Sequence, residues 1–181
     1  LIPTENRNLD TNKKELPQII WEKSARAEHQ NSHAFKLIES YFTKCRSIPL
    51  VNYSDLLKKG LIRVNEYERD KMLVYPSLTP EESSLALKDE SYDLKRIQRI
   101  YLNIDGTKHI KGKKHLGSNG DASAGFLIPS FKGSSFINVV IMEGLEDALS
   151  LRPEYPEYWF LVATDKSGLK HLTGFFNRGN P

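Results

Sequence analysis

Apolar positions in the first half of the chain recur at the spacing of an amphipathic helix. The face that they form consists of four side chains: Phe35, Ile38, Phe42 and Cys45. Steps of three and four residues place these side chains on one side of a helix. Ser32 precedes the pattern as an N-cap residue, and Pro49 follows it as a stop. We therefore predict one helix between these two residues, with Cys45 on its buried face.

The next apolar runs predict strands. Residues 72–76 form a short apolar run that ends in proline, and residues 97–102 alternate between apolar and polar side chains. The acidic, serine-rich residues 77–93 lack a strong period, so we expect a loop with at most one helical turn. These two strands begin the sheet portion of the predicted fold.

A basic hairpin is predicted after the second strand. The dipeptide Asp105-Gly106 favours a tight turn, so residues 107–115 should return beside residues 97–102. The return strand concentrates positive charge in four side chains: Lys108, Lys111, Lys113 and Lys114. The net charge of +3 does not by itself indicate nucleic-acid binding, but this cluster can contact phosphates. From the run of lysines alone, a solvated hairpin tip is the slightly better explanation.

Two nearly continuous apolar runs near the C-terminus predict buried parallel strands. They are residues 136–142 and 158–163, and residues 145–151 between them can form a helix. Continuous apolar character is typical of strands that are buried on both faces, and strand, helix, strand is a βαβ unit. The glycine-rich residues 117–125 lead into a further short strand at 126–129.

Together these elements indicate an α/β protein with three parts. Residues 1–31 begin with a polar segment that has no apolar period, which predicts a flexible N-terminal arm. Residues 32–130 should form an α+β region that contains the β-hairpin. Residues 131–181 should contribute the parallel βαβ sheet.

Composition narrows the class of protein. A hydrophobic content of 39% in 181 residues is sufficient for one sizeable core or two small ones. The longest apolar runs are far shorter than the roughly 20 residues that a membrane-spanning helix needs. With one cysteine and no secretory signal, we expect a cytoplasmic protein without disulfides. Because the chain starts with Leu1 instead of methionine, we expect it to be a piece of a larger protein.

A carboxylate follows the first predicted parallel strand. Glu143 would lie at the carboxyl end of this strand, where open α/β sheets bind ligands, and Gly144 would let backbone and substrate approach closely. Glu146 and Asp147 fall on the first turn of the next helix, where the macrodipole favours negative charge without any further function. From the residues alone, a functional and a structural role for Glu143 both stay open.

These residues resemble the Toprim domain of phage and plasmid primases. The likeness covers the strand that ends in Glu143-Gly144, the Leu-Glu-Asp-Ala-Leu sequence at 145–149, the second strand and residues 166–172. Residues 41–48 and the Lys-x-Leu-Gly sequence at 114–117 add to it. The hairpin also resembles a strand-turn-strand of these primases at six positions: Arg99, Tyr101, Leu102, Asp105, Gly106 and Lys108.

The resemblance implies a DNA primase that synthesises RNA primers on single-stranded DNA by magnesium-dependent nucleotidyl transfer. It implies that Glu143 acts as a general acid or base, with Gly144 and Asp147 as neighbouring site residues, and it makes Glu143 a candidate ligand of Mg²⁺. It also favours nucleic-acid binding by the four lysines of the hairpin together with Arg99. The implied partners are DNA, nucleotides and a replicative helicase, with no membrane.

The chain departs from this family in its acidic residues. No two aspartates are two residues apart, so the Asp-x-Asp signature of the family is missing, and Asp165 is a poor substitute. Since Mg²⁺ needs several oxygen ligands, the metal site is incomplete within this chain. Two alternatives therefore stay open: a non-catalytic Toprim-like module that binds nucleic acid or a replication partner, and a Toprim nuclease fragment. The hairpin resembles primases more than nucleases.

Overall fold

The computed structural model describes residues 9–67, 70–88, 92, 94–117, 125–133, 138–163, 166 and 168–170. The helices are α1 (Leu9–Glu22), α2 (His33–Glu39), α3 (Ser54–Lys58), α4 (Pro80–Leu87) and α5 (Leu145–Leu151). The strands are β1 (Ala25–Arg26), β2 (Arg63–Tyr67), β3 (Asp70–Pro76), β4 (Arg96–Leu102), β5 (Lys108–Gly117), β6 (Gly125–Ile128), β7 (Val139–Met142) and β8 (Trp159–Ala163). Within this part of the chain, none of the helices has the length and apolar character needed to cross a bilayer.

The larger sheet is antiparallel and has five strands in the order β1-β2-β3-β4-β5. The predicted strand and hairpin are confirmed, because β3, β4 and β5 occupy the expected segments and pair as antiparallel neighbours. Gly106 adopts a φ of 84° at the hairpin turn, a conformation that glycine reaches without steric cost. The Ser40 hydroxyl donates to the Asp105 carbonyl oxygen at 2.6 Å, which fixes this turn against the chain that follows α2.

The smaller sheet is mixed, with the strand order β6-β8-β7. Strands β7 and β8 pair in parallel, with Val140 opposite Phe160, and α5 connects them. The predicted strand, helix, strand arrangement is therefore observed, although residues 134–137 lie outside the described residues. We expected a purely parallel sheet, but β6 is antiparallel to β8. Its likeness to a Toprim sheet stays a prediction.

The predicted helix begins as expected but ends differently. The backbone N–H of Phe35 donates to the Ser32 hydroxyl at 3.1 Å, which confirms the N-cap. After Glu39 the helix continues as a π-helix over Ser40–Cys45. The wider turn of a π-helix shifts the side chains relative to the α-helical period. Cys45 consequently lies exposed, and its prediction as a core residue was wrong.

Several elements were not expected from the sequence. The predicted flexible arm of residues 1–31 contains α1 and β1, and its Trp21 side chain is buried. Helix α4 occupies two turns of the predicted loop. Its capping box is formed by Thr79 and Glu82, since each side chain accepts from the other residue's backbone N–H.

The main hydrophobic core is shared between the predicted α+β region and the smaller sheet. It includes Phe42 and Tyr75 from the first region together with Leu149 and Phe160 from the second. A second, smaller cluster contains Leu127, Leu161 and Ala163. The division of the chain at residue 131 stays a prediction, but the side chains on its two sides pack together.

Candidate nucleic-acid interface

The end of β7 presents Glu143 and Gly144 at one edge of the smaller sheet. Met142 lies opposite Val162 of β8, so Glu143 follows directly after the last paired residue of β7. Gly144 caps the start of α5, and the Glu143 side chain is exposed. The structure thus places Glu143 at the carboxyl end of a parallel strand, as predicted from the sequence.

Asp147 folds back over the start of α5. A Cβ atom added to Gly144 would lie only 2.4 Å from the Asp147 Oδ2 atom, which shows how closely the carboxylate covers this glycine. The position suits the positive end of the helix, where negative charge is favourable. These contacts are sufficient to explain Asp147 as a structural residue. Glycine is needed at position 144 because a side chain there would collide with the Asp147 carboxylate.

Glu146 points toward the π-helix that follows α2. The Tyr41 hydroxyl donates a hydrogen bond to the Glu146 carboxylate, and the Arg46 guanidinium lies 5.5 Å from the centre of the Tyr41 ring. Burial raises the pKa of Tyr41 well above its ordinary value, and the adjacent Glu146 carboxylate raises the Tyr41 pKa further. The contact was missed from the sequence because it joins residues that are 105 positions apart.

The three carboxylates of this segment do not converge. Glu143 is exposed, Glu146 is bonded to Tyr41, and Asp147 covers Gly144. In the part of the chain that the structure describes, no group of three or more His, Cys, Asp or Glu side chains could hold a metal ion. The described residues therefore do not fit the magnesium site that the resemblance implies around Glu143. Asp165 lies outside the described residues.

Strand β5 brings the basic hairpin to the Glu143 segment. The Lys113 ammonium donates to the Glu143 backbone carbonyl at 3.3 Å, although the two residues belong to different sheets. Lys113 lies opposite Ile100 on β4, whereas Lys114 lies opposite Arg99. Since side chains alternate along a strand, Lys113 and Lys114 point to opposite faces. The predicted cluster is therefore divided between two faces.

Tyr101 is surrounded by three of the predicted cations. The charged groups of Arg99, Lys111 and Lys114 lie 5.7, 5.4 and 6.0 Å from the centre of its ring. Lys111 also forms an ion pair of 2.6 Å with Asp70 on β3. Tyr101 was not identified as a candidate binding residue. The alternation of Arg99 and Tyr101 on one face of β4 was the available signal.

The other polar residues of β5 are exposed or form local hydrogen bonds. Lys108 is exposed at the start of β5, opposite Leu102. The Nδ1 atom of His109 accepts from the Lys111 backbone N–H at 3.1 Å, and the His115 carbonyl accepts from Arg99 at 3.4 Å. Residues 118–124, which contain most of the predicted glycine-rich stretch, lie outside the described residues.

Comparison of the chain with protein-family models, with curated proteins and with solved structures finds no match. The arrangement combines an aromatic ring and cations on one face of the hairpin with a contact from Lys113, on the opposite face, to the segment that carries the exposed Glu143. Cations next to an aromatic ring are the groups that bind phosphates and unstacked bases of single-stranded nucleic acids.

Proposed function

We propose that this chain is the nucleic-acid-binding part of a Toprim-like primase of a phage or mobile element. One observation carries the proposal: the 3.3 Å contact between the Lys113 ammonium and the Glu143 carbonyl brings the basic strand to the strand-end carboxylate. The sequence resemblance supports the same assignment. The parent activity is the synthesis of RNA primers on a single-stranded DNA template.

The basic strand supplies the binding step in this proposal. Arg99, Lys111 and Lys114 surround Tyr101, so phosphates of a single strand can contact the cations while a base stacks on the ring. Lys113 points to the other face of β5, so a template strand that crosses this edge of the sheet places its next phosphate at Lys113, beside Glu143. The template is therefore bound across β5 toward the end of β7.

Glu143 supplies the proton transfer in this proposal. Its exposed carboxylate can accept the proton of a primer hydroxyl as that oxygen attacks the α-phosphate of an incoming nucleotide and pyrophosphate leaves, on a template that Lys113 positions. The described residues do not form a magnesium site, so the proposal gives them this proton transfer alone.

A non-catalytic binding module is the second candidate. It is favoured by the hydrogen bond between Tyr41 and Glu146, which commits one of the three carboxylates to the interior. The placement of Asp147 over Gly144 commits another. In this alternative the contacts to single-stranded nucleic acid are the same, and Glu143 takes no part in chemistry.

Charge reversal of Lys113 and Lys114 tests the binding step. We expect the Lys113→Glu, Lys114→Glu double variant to bind labelled single-stranded DNA at least about tenfold more weakly in fluorescence anisotropy, because phosphate contacts dominate affinity. The dependence of the binding constant on salt should also become shallower, by about 0.7 in log–log slope for each lost phosphate contact. Lys132→Glu is the matched control, since Lys132 is exposed and follows β6 at the other end of the smaller sheet. Equal affinities for the double variant and the control would contradict the interface.

Replacement of Glu143 separates catalysis from binding. In the primase that contains this chain, Glu143→Gln should reduce primer synthesis by about 10²-fold or more, the lower end for loss of a general acid or base. DNA binding should be unchanged, because the lysines are intact. Glu154→Gln, at an exposed position after α5, is the control. Full primer synthesis by Glu143→Gln would leave the binding module as the correct assignment.

A further inference from the structure

A second cationic site lies at the β1–β2 end of the larger sheet, away from β5. An open cavity of about 730 Å³ is bordered by α1, by strands β1 and β2, and by the end of α3. Its lining includes Trp21, Arg26, Lys58, Lys59 and Arg63. Two strands separate β2 from β5, so three interstrand spacings place the two basic surfaces about 14 Å apart. The cavity is therefore separate from the proposed nucleic-acid interface.

The charge of the cavity lining is strongly unbalanced. Four of its side chains are cationic, and Glu22 is the one carboxylate among the described lining residues. Glu22 already accepts a hydrogen bond from Gln18. Arg26 pairs with Glu28 at 3.1 Å, but both side chains are about half exposed, so this pair neutralises little of the field. A ligand with several negative charges would offset the excess of positive charge.

Arg63 is held in a fixed orientation inside this cavity. Its Nε–H donates to the Gly60 carbonyl at 2.9 Å and its Nη1 donates to the Trp21 carbonyl at 3.0 Å. The guanidinium carbon lies 3.9 Å from the centre of the Trp21 ring. Burial lowers the pKa of Arg63, and the neighbouring Arg26 lowers the Arg63 pKa further. An arginine that is ordered before binding loses little side-chain entropy when it engages an anion.

Two lysines are the other cationic residues that line the cavity. Lys58 is exposed at the end of α3, and Lys59 donates to the Leu87 carbonyl at 2.9 Å through its ammonium group. The Lys59 ammonium retains further N–H donors, since an ammonium carries three. The two lysines and two arginines thus approach one space from α3, β1 and β2.

We propose that this cavity binds the polyphosphate group of a small phosphorylated molecule, the chemistry found in nucleoside triphosphates. Several adjacent phosphates match several adjacent cations, and arginine presents its donors in a fork that fits phosphate oxygens. Trp21 is only 4% exposed and its ring is covered by Arg63, so the ring is not available for stacking on a base. Recognition therefore depends on the phosphates. The volume is within the range of about 300–1,000 Å³ that is usual for small-molecule sites.

Isothermal titration calorimetry with inorganic tripolyphosphate tests this proposal on the whole chain. We expect saturable binding that Lys58→Gln weakens about tenfold, because a hydrogen bond to a charged group is removed. Lys58 is exposed, so this variant should fold normally. Arg63→Lys should weaken binding as well, since lysine lacks the Nη2 group that can donate to a phosphate while Nε and Nη1 are bonded to the Gly60 and Trp21 carbonyls. Lys132→Gln is the control: it removes one exposed positive charge after β6, outside both basic surfaces, and should leave tripolyphosphate binding unchanged.

Competition distinguishes the two sources of phosphate. ATP should displace tripolyphosphate, whereas single-stranded DNA with a 5′-hydroxyl end should not displace it. Lack of tripolyphosphate binding, equal weakening by Lys58→Gln and Lys132→Gln, or displacement by the DNA alone would each overturn the proposal. Because Lys58 lies on α3 and not on β5, weakening by Lys58→Gln is independent of whether β5 binds nucleic acid.

Discussion

Three carboxylates within five positions of the chain have three different environments. Glu143 is exposed, Glu146 receives a hydrogen bond from Tyr41, and Asp147 covers Gly144. Local sequence predicts the placement of Glu143 and the helix start, because both depend on neighbouring residues. It does not predict the environment of Glu146, because its partner comes from a distant helix. A carboxylate next to a candidate catalytic residue can thus be part of the interior.

The buried tyrosines give the fold a specific dependence on alkaline pH. Burial raises the pKa of Tyr41, Tyr53 and Tyr75. In the unfolded chain a tyrosine ionises near pH 10, so above this pH the unfolded state loses protons before the folded state does. The free energy of unfolding should therefore be constant with respect to these groups below about pH 10 and should decrease as the pH rises further.

Tyr41→Phe should make this decrease shallower. Each tyrosine with a raised pKa contributes a slope of up to about 1.4 kcal/mol per pH unit, and the variant removes one of them. Urea unfolding at a series of pH values between about 8 and 11.5 measures the slope. The comparison uses slopes, since the variant also leaves Glu146 without its partner. Identical slopes for the wild type and the variant would show that Tyr41 does not retain its proton in the folded state.

At the scale of elements, Arg152 joins the end of α5 to α3. Its side chain is fully buried and forms an ion pair of 2.6 Å with Asp55. Its guanidinium also donates to the Asn52 carbonyl at 2.9 Å and to the Pro129 carbonyl at 2.8 Å. The buried cation is thus satisfied entirely by groups from the preceding part of the chain.

Removal of the Asp55 carboxylate should destabilise the fold strongly. Asp55→Ala leaves Arg152 buried without a counter-charge, and breaking a buried pair in this way costs about 3–5 kcal/mol. We expect a value near the lower limit, because Asp55 is 38% exposed and water can enter. Urea unfolding of both proteins measures the difference.

Asp70→Ala is a matched control for this prediction. Asp70 has a similar exposure of 37% and the same 2.6 Å distance to its cation, but Lys111 is 44% exposed. A surface pair contributes about 0–1 kcal/mol, so this variant should unfold almost like the wild type. Equal losses for the two variants would mean that burial of Arg152 does not determine the effect.

The elements differ in how well the sequence predicts them. Strand β4, the hairpin and the β7–α5–β8 unit follow from strong apolar patterns and from the Asp105-Gly106 turn. Helix α4 was missed although Thr79 and Glu82 have the spacing of a capping box. The exposure of Cys45 depends on a π-helix, and apolar spacing alone does not reveal such a change of period.

At the scale of the whole molecule, the two predicted regions share one core. Tyr75 from β3 packs its ring 5.2 Å from that of Phe126 on β6, so the two sheets are in contact. Asn52 donates to the Leu149 carbonyl at 2.8 Å across the predicted boundary at residue 131, so the two regions are also joined. The sequence predicted the six strands β3 to β8 from their own patterns, but not β1 and β2. It could not predict the contact between the two sheets, because such packing depends on side-chain shapes that have no period along the chain.

The buried Arg152 limits how this protein could be shuffled by recombination. A gene fusion that moved residues 131–181 onto another protein would separate Arg152 from its three partners, Asp55, Asn52 and Pro129. The guanidinium would then be buried without a counter-charge or hydrogen-bond acceptors. The new host would have to present a carboxylate and two carbonyl oxygens in the same geometry. We therefore expect the β7–α5–β8 unit to be inherited together with the segment that contains α3.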